Sequence, residues 1–197
     1  ASADEKNNRY NEIQNNKFNK VKYLFKKTKY FSLANSLGIK LGKKFHHDLT
    51  RSGISLYGGH YNSAYKKYIK PVIKLKAEVI QIKKILTNEY IGYNQTYKSR
   101  KNITIAIIDI GYADGISRKL SNIGYVFFKE YKFRIIGRVS MDSITIDITH
   151  KKKLIKNGMF LDIINYSYDI EKMALKCNTI SNEILTSISA RVKRKYI

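Results

Sequence analysis

The chain has 197 residues, of which 43% are hydrophobic and 12% aromatic, so it can bury a core and is not intrinsically disordered. Its formal net charge of +23 is typical of nucleic-acid-binding proteins. No apolar run approaches the roughly 18 residues of a membrane span, and the single cysteine, Cys177, excludes an internal disulfide. We expect a cytoplasmic globular protein without a membrane partner.

The strong positive charge has a compositional explanation. Lysine, isoleucine, asparagine and tyrosine are enriched, whereas proline occurs once and tryptophan is absent. The enriched types have A/T-rich codons, so drift in an A/T-rich genome accounts for the pattern. Lysine also outnumbers arginine, although readout of nucleic-acid bases favours arginine. We therefore predict no nucleic-acid partner.

The first third of the chain alternates helix and strand patterns. Residues 7–27 carry apolar side chains at spacings of three, four and five, which predicts an amphipathic helix with an outer face of Lys and Asn. Residues 30–42 predict a short strand, a turn at Asn35 and Ser36, and a helical turn. Residues 49–59 predict a second short strand ended by glycines. This alternation favours βα units on a parallel sheet.

Strand patterns dominate beyond Pro71. Alternating apolar and basic residues predict a half-buried strand over 72–86. Further β-rich runs occupy 102–110, 125–137 and 142–149, and the C-terminal segment predicts at least one helix. We place a domain boundary near residue 70, which separates an α/β part over 1–70 from a mostly β domain over 71–197.

Two carboxylates and two glycines crowd the stretch DIGYADG at residues 109–115. A calcium loop would need oxygens at alternate positions and a final glutamate, and a phosphate loop would need another glycine spacing. Adjacent His46 and His47 point in different directions on any regular element, which disfavours zinc. We predict no metal site. Spacing alone predicts a strand-ending turn that Asp109 and Asp114 hydrogen-bond.

Six segments occur in the order and spacing found in one enzyme family. LANS, TRSGISLYGG, GYNQTY, DIGYADGISRKLSN, IIGRVSMDSITIDIT and EILTSISARVKR resemble segments of alanine racemases. The resemblance implies the C-terminal part of a (β/α)8 barrel over 1–70, followed by a mostly β domain over 71–197. It also implies a pyridoxal 5'-phosphate cofactor and a head-to-tail homodimer, whose active sites lie at the barrel's C-terminal face and are completed by the partner's β domain.

The start of the chain resembles the middle of the family's barrel. ASADE resembles the family's H-x-A-x-A-D-E strand, entered after its histidine. The Schiff-base lysine of the family lies further upstream, and no lysine of this chain matches its motif. The expectation is a fragment, an excised domain or one half of a split enzyme that pairs with a separate N-terminal half. Such a chain is expected to be inactive alone.

Four residues take cofactor-binding roles through the resemblance. Ser36 resembles the serine whose hydroxyl binds the cofactor phosphate, and Gly53 and Ile54 resemble the residues whose backbone N–H groups bind it. Arg51 resembles the arginine that faces the pyridine nitrogen, to which a guanidinium donates a hydrogen bond without giving up its proton. From spacing alone, a helix N-cap is favoured for Ser36 and a surface position for Arg51.

Four residues take roles in substrate binding and catalysis through the resemblance. Tyr93 resembles the tyrosine base that acts on one face of the substrate Cα, opposite the lysine, because racemisation needs acid–base groups on both faces. Tyr112 resembles a second tyrosine that narrows the substrate's access route. Met141 resembles the residue whose backbone N–H binds the substrate carboxylate, and Asp142 lines the same site. Without the resemblance, Tyr93 reads as a core or surface aromatic and Met141 as core packing.

The function implied is interconversion of L-alanine and D-alanine, which supplies D-alanine for cell-wall peptidoglycan. Two alternatives stay open: a racemase of wider amino-acid specificity, and an inactive basic module that binds nucleic acid. The presence of Tyr93, Arg51 and Ser36 favours an enzyme, since drift would not be expected to spare all three.

Overall fold

A computed structural model describes residues 2–60 and 66–196. The chain divides into two compact units, the N-terminal unit Ala1–Lys70 and the C-terminal unit Pro71–Ile197. The described residues of the N-terminal unit form two short parallel strands and two α-helices, and the C-terminal unit is built on a six-stranded antiparallel sheet.

Helix α1 spans Arg9–Lys22, inside the predicted 7–27. The predicted outer face of Lys and Asn is confirmed for Asn16 and Asn19, which are exposed, but it is wrong for Asn11 and Asn15, which are 5% exposed. Tyr10, in contrast, is 58% exposed. Hydrogen bonds explain the reversal. The Asn11 amide donates to a backbone carbonyl at 3.0 Å, and Asn15 Oδ1 lies 2.9 Å from His47 Nε2. An amide can be buried where such partners replace water.

A parallel strand–helix–strand unit follows α1. Strand β1 (Ser32–Asn35) pairs in parallel with β2 (Leu49–Arg51), and α2 (Ser36–Lys40) begins directly after β1. Parallel strands need a crossover connection, which α2 and the residues after it provide. A 3₁₀ helix, Ile54–Tyr57, follows β2. The predicted parallel pairing is confirmed, and it places the start of α2 beside the segment that leaves β2.

The C-terminal unit has one large sheet and one small hairpin. The strands are β3 (Leu75–Ile85), β4 (Tyr90–Ile91), β5 (Tyr97–Lys98), β6 (Ile103–Ile108), β7 (Tyr125–Phe128), β8 (Tyr131–Arg134), β9 (Ile144–Asp147) and β10 (Phe160–Ile164). The sheet is ordered β8, β7, β10, β3, β6, β9, with antiparallel neighbours, while β4 and β5 form the hairpin.

The sheet follows the apolar alternation of the sequence. Inward-facing residues of its strands are fully buried, among them Val79, Ala106, Val126, Phe133 and Ile146. The predicted strands 72–86, 102–110 and 142–149 contain β3, β6 and β9. The run 125–137 is instead a β-hairpin, because Lys129 adopts a φ of +53° and reverses the chain between β7 and β8.

Two short helices close the chain. Helix α3 spans Ile170–Lys176 and begins at Asp169, whose carboxylate accepts a hydrogen bond from the Lys172 backbone N–H at 3.0 Å. Helix α4 spans Ser181–Ser187 and packs against α3. The predicted C-terminal helix is confirmed. Across residues 2–60 and 66–196, no helix is both long and apolar enough to cross a membrane.

Candidate functional site

The predicted phosphate-binding residues meet beside the ends of β1 and β2. Ser36 is buried, and its Oγ accepts hydrogen bonds from the backbone N–H groups of Gly53 at 2.8 Å and Ser55 at 3.4 Å. Asn35 is the N-cap of α2, because its side chain accepts two backbone N–H groups of that helix. The N-cap interpretation of Ser36 is therefore wrong, and its hydroxyl instead accepts hydrogen bonds from the loop after β2.

The same loop has the hydrogen-bonding groups that a phosphate needs. A hydroxyl carries one proton and two lone pairs, and the two N–H groups occupy the lone pairs of Ser36 Oγ, so its proton remains to be donated. Ser55 Oγ is buried without a hydrogen-bond partner among the described residues. A Cβ at Gly53 would meet only Ser36 Oγ, at 3.9 Å, so the loop is open there. Ile54 lies between these donors with its side chain buried.

Arg51 ends β2 and is fixed against β1. Its Nη1 donates to the Ser32 carbonyl at 2.9 Å and to Ser32 Oγ at 2.8 Å, and its Nη2 donates to the Leu33 carbonyl at 3.4 Å. The side chain also lines a cavity of about 200 Å³ with Ala34 and Asn35. Arg51 is exposed, as spacing alone predicts, and three hydrogen bonds hold its guanidinium in place.

Tyr93 lies in the turn between β4 and β5 and is 70% exposed, which excludes core packing. The base of the turn is fixed by close backbone contact. Gly92 has a φ of +78°, and a Cβ there would lie 2.9 Å from the Arg138 backbone nitrogen. Gly137 has a φ of +75° and approaches the Ile91 carbonyl in the same way. The Tyr93 phenol is therefore presented to solvent from a rigid base.

Tyr112 and Met141 are brought together by two loops joined through their backbones. The N–H of Tyr112 donates to the Ser140 carbonyl at 2.9 Å, and the N–H of Ala113 donates to the Met141 carbonyl at 3.0 Å. A Cβ on Gly111 would collide with the Met141 carbonyl, so this approach requires glycine. Tyr112 is 47% exposed and Met141 is 52% exposed, which excludes core packing for Met141.

A basic cavity of the C-terminal unit is lined by Thr96, which ends the Tyr93 turn, and by Arg118, which lies beside Tyr112. Its volume is about 420 Å³, and its lining is Thr96, Arg118, Lys119, Ser121, Asn122 and Arg138. The Arg118 guanidinium lies 6.0 Å from the centre of the Tyr112 ring. Arg138 Nε is buried without a hydrogen-bond partner among the described residues. Three cations and no carboxylate line this cavity, so its electrostatic potential favours an anion such as a carboxylate.

Arg191 joins the loops of Tyr112 and Met141, and sequence reasoning assigned it no role. Asp114 Oδ2 accepts the Gly111 N–H at 2.8 Å, which confirms the predicted turn bond, and Asp114 Oδ1 lies 3.3 Å from Arg191 Nε. Asp142 Oδ1 lies 2.7 Å from Arg191 Nη2. The hydrogen bond with Asp142, aided by the charge of Asp114, raises the pKa of Arg191 above its ordinary value. Its only sequence signal is its place in EILTSISARVKR.

The chain matches two family models. The model for the alanine racemase C-terminal domain covers residues 72–196, and the model for the alanine racemase N-terminal domain covers residues 1–61. Alanine racemase from Rickettsia africae is 40% identical over all of this chain and 54% of that protein. Alanine racemase from Brucella ovis is 41% identical over 84% of this chain and 46% of that protein.

Solved structures agree with the family models. The crystal structure of alanine racemase from Bartonella henselae with covalently bound pyridoxal phosphate aligns with a TM-score of 0.89 and 39% identity, over all of this chain and 55% of that one. Alanine racemase from Streptomyces coelicolor aligns with a TM-score of 0.93 and 25% identity. The chain spans about half the length of the relatives it matches. It belongs to the alanine racemase family.

Proposed function

We propose that this chain forms part of a pyridoxal-phosphate-dependent alanine racemase that interconverts L-alanine and D-alanine for peptidoglycan synthesis. Residues 1–70 are the last βα units of the cofactor-binding barrel, and residues 71–197 are the C-terminal β domain. The observation that carries the proposal is the loop geometry at Ser36, whose Oγ lies 2.8 Å from the Gly53 nitrogen, in a chain of this family.

Pyridoxal phosphate, when bound, withdraws electrons from the substrate Cα and so makes its proton labile. The Ser36 hydroxyl and the Ile54 backbone N–H would hold the phosphate, and Gly53, whose N–H donates to Ser36 Oγ at 2.8 Å, would orient that hydroxyl and leave room for the phosphate. Arg51 would donate a hydrogen bond to the pyridine nitrogen and keep its own protons, because a guanidinium stays charged. Its hydrogen bonds to Ser32 and Leu33 fix its position for this task.

Tyr93 moves the proton on one face of the substrate Cα. A phenol hydroxyl can accept or donate a proton, and racemisation needs such a group on each face. The exposure of Tyr93 at the tip of a rigid turn suits a site shared with a second copy of the chain. The proposed active species is a head-to-tail homodimer, in which Tyr93 of one copy acts at the cofactor of the other.

The substrate is held by its carboxylate. The backbone N–H of Met141 binds that carboxylate, Asp142 lines the site, and Tyr112 narrows the access route. The basic cavity beside Tyr112 supports this assignment, since its cations attract the carboxylate of an incoming amino acid.

The test is racemase activity of the complete enzyme, meaning this chain fused to or mixed with the upstream half of the family's sequence. With pyridoxal phosphate added, it is expected to convert each enantiomer of alanine into the other, as followed by polarimetry. The chain alone is expected to show no conversion. A complete enzyme that retains the cofactor but converts neither enantiomer would contradict the proposal.

A further inference from the structure

Three segments of the C-terminal unit meet at the Arg191 guanidinium. Its Nε lies 3.3 Å from Asp114 in the turn 111–115, and its Nη2 lies 2.7 Å from Asp142, which follows Met141. The C-terminal segment is also joined to the first turn directly, because the Ser189 N–H donates to the Asp114 carbonyl at 3.3 Å. One side chain from the C-terminal segment therefore bridges the loop of Tyr112 and the loop of Met141.

The two carboxylates that Arg191 meets are not equivalent. Asp114 is 9% exposed and already accepts the Gly111 N–H, so its negative charge is partly stabilised by a hydrogen bond within its own turn. The Asp142 side chain is about half exposed, and its ion pair is with Arg191. Asp142 is also the residue next to Met141, whose N–H is assigned to the substrate carboxylate. A bare negative charge on Asp142 would repel that carboxylate.

We propose that Arg191 is a positioning residue of the racemase site: it neutralises Asp142 and holds the 111–115 and 140–142 loops together, so that the Met141 N–H can bind the substrate carboxylate. This inference rests on the proposed function. A carboxylate contact that is equally strong in the ground state and the transition state contributes to substrate affinity and not to the rate of the bound complex. Loss of Arg191 therefore raises KM and leaves kcat nearly unchanged.

Arg194 provides a matched control on the same segment. Its guanidinium donates only to the main-chain carbonyls of Ile188, Ser189 and Val192, at 3.0 to 3.4 Å, and is paired with no carboxylate among the described residues. Arg194→Gln removes the same charge and the same length of side chain as Arg191→Gln. A general effect of the basic C-terminal segment would appear in both variants, whereas a specific effect on Asp142 appears only in Arg191→Gln.

The experiment measures KM and kcat of the complete enzyme for both enantiomers of alanine. Arg191→Gln is expected to raise KM about tenfold for each enantiomer, the size of one charge-assisted hydrogen bond, with kcat changed less than about threefold. Arg194→Gln is expected to leave KM within about twofold of the unchanged enzyme. Adding Asp142→Asn to Arg191→Gln is expected to restore most of the lost affinity, because the repelling charge is removed.

A purely structural role for Arg191 gives a different pattern. An unchanged KM in Arg191→Gln, or a higher KM that Asp142→Asn does not lower, overturns the inference while an active unsubstituted enzyme upholds the proposed function. If Arg191→Gln does not fold, Arg191→Lys carries the test. Lysine keeps the positive charge but lacks the planar guanidinium that can donate to two carboxylates at once, so we expect KM to rise about threefold and Asp142→Asn to reverse that rise. An unchanged KM overturns the inference. An inactive unsubstituted enzyme contradicts the proposed function itself.

Discussion

The hydroxyl of Ser36 accepts a hydrogen bond from the Gly53 backbone N–H at 2.8 Å, which ties the start of α2 to the loop after β2. Asn35 caps the helix, so Ser36 is not needed for that purpose. The result is a buried hydroxyl whose proton is available to a ligand at an open glycine loop. A cofactor phosphate is the ligand that we assign to this loop.

Removal of the Ser36 hydroxyl is expected to weaken cofactor binding. Ser36→Ala in the complete enzyme should lower the affinity for pyridoxal phosphate by about 10- to 100-fold, since one hydrogen bond to a charged group is lost. Cofactor absorbance during dialysis measures this change. Ser167→Ala, which removes a hydroxyl that bonds Asn165 in the C-terminal unit, is the control. Equal cofactor retention by the two variants would contradict the assignment of Ser36.

Gly111→Ala is expected to separate the loops of Tyr112 and Met141. The added Cβ would collide with the backbone carbonyls of Ser140 and Met141, so a loop must move, at a cost of about 3 kcal/mol in the free energy of unfolding. Urea unfolding of the C-terminal unit measures that loss. Gly158→Ala is the control, because its Cβ would meet only Glu78 Oε1 at 3.9 Å.

The control still carries a backbone cost. Gly158 has a φ of +80°, so alanine there is strained by about 1 kcal/mol although it has space. Gly111→Ala should therefore lose more stability than Gly158→Ala, and it should also raise KM for alanine. Equal losses in the two variants would show that the approach of the two loops is not as tight as the structure has it.

Tyr168 is expected to make the C-terminal unit sensitive to alkaline pH. Burial raises its pKa from 10.0 to about 12, and its hydroxyl is buried without a partner among the described residues. The folded protein thus holds this proton more tightly than the unfolded chain does. The resulting stability is fully present below pH 10 and is lost as the pH rises from 10 to 12, by about 1 to 2 kcal/mol.

Tyr168→Phe isolates that contribution. The substitution keeps the ring, which lies 5.0 Å from the ring of Phe127, and removes a hydroxyl that makes no hydrogen bond among the described residues. The free energy of unfolding at pH 8 should change by less than about 1 kcal/mol. Between pH 10 and 12 the variant should lose less stability than the unchanged chain, and parallel losses would contradict the shifted pKa.

The sequence predicted strands well where one face is buried. The alternation over 72–86 matches β3, whose inward residues such as Val79 are fully buried. The same reasoning failed for two positions of α1, because hydrogen bonds to groups outside the helix allow Asn11 and Asn15 to be buried. Periodicity measures hydrophobicity along one segment and is silent about the partners that a polar group finds after folding.

The sequence likewise predicted part of the candidate site and missed one of its residues. Family motifs gave Ser36, Tyr112 and Met141, and the structure brings the last two together through backbone hydrogen bonds. Arg191 was missed because its meaning depends on two carboxylates from separate loops. A lone arginine in a basic tail has no local pattern that distinguishes it from its neighbours. Only the fold shows that Arg191 meets two acids while Arg194 meets carbonyls.

In the proposed racemase, Tyr93 is the acid–base group for one face of the substrate. The most direct measurement is solvent exchange of the Cα proton of L-alanine and of D-alanine in D₂O, with Tyr93→Phe in the complete enzyme. We predict that exchange from one enantiomer falls by at least about 100-fold while exchange from the other is largely kept, since the second base is intact. Equal losses for the two enantiomers would contradict it.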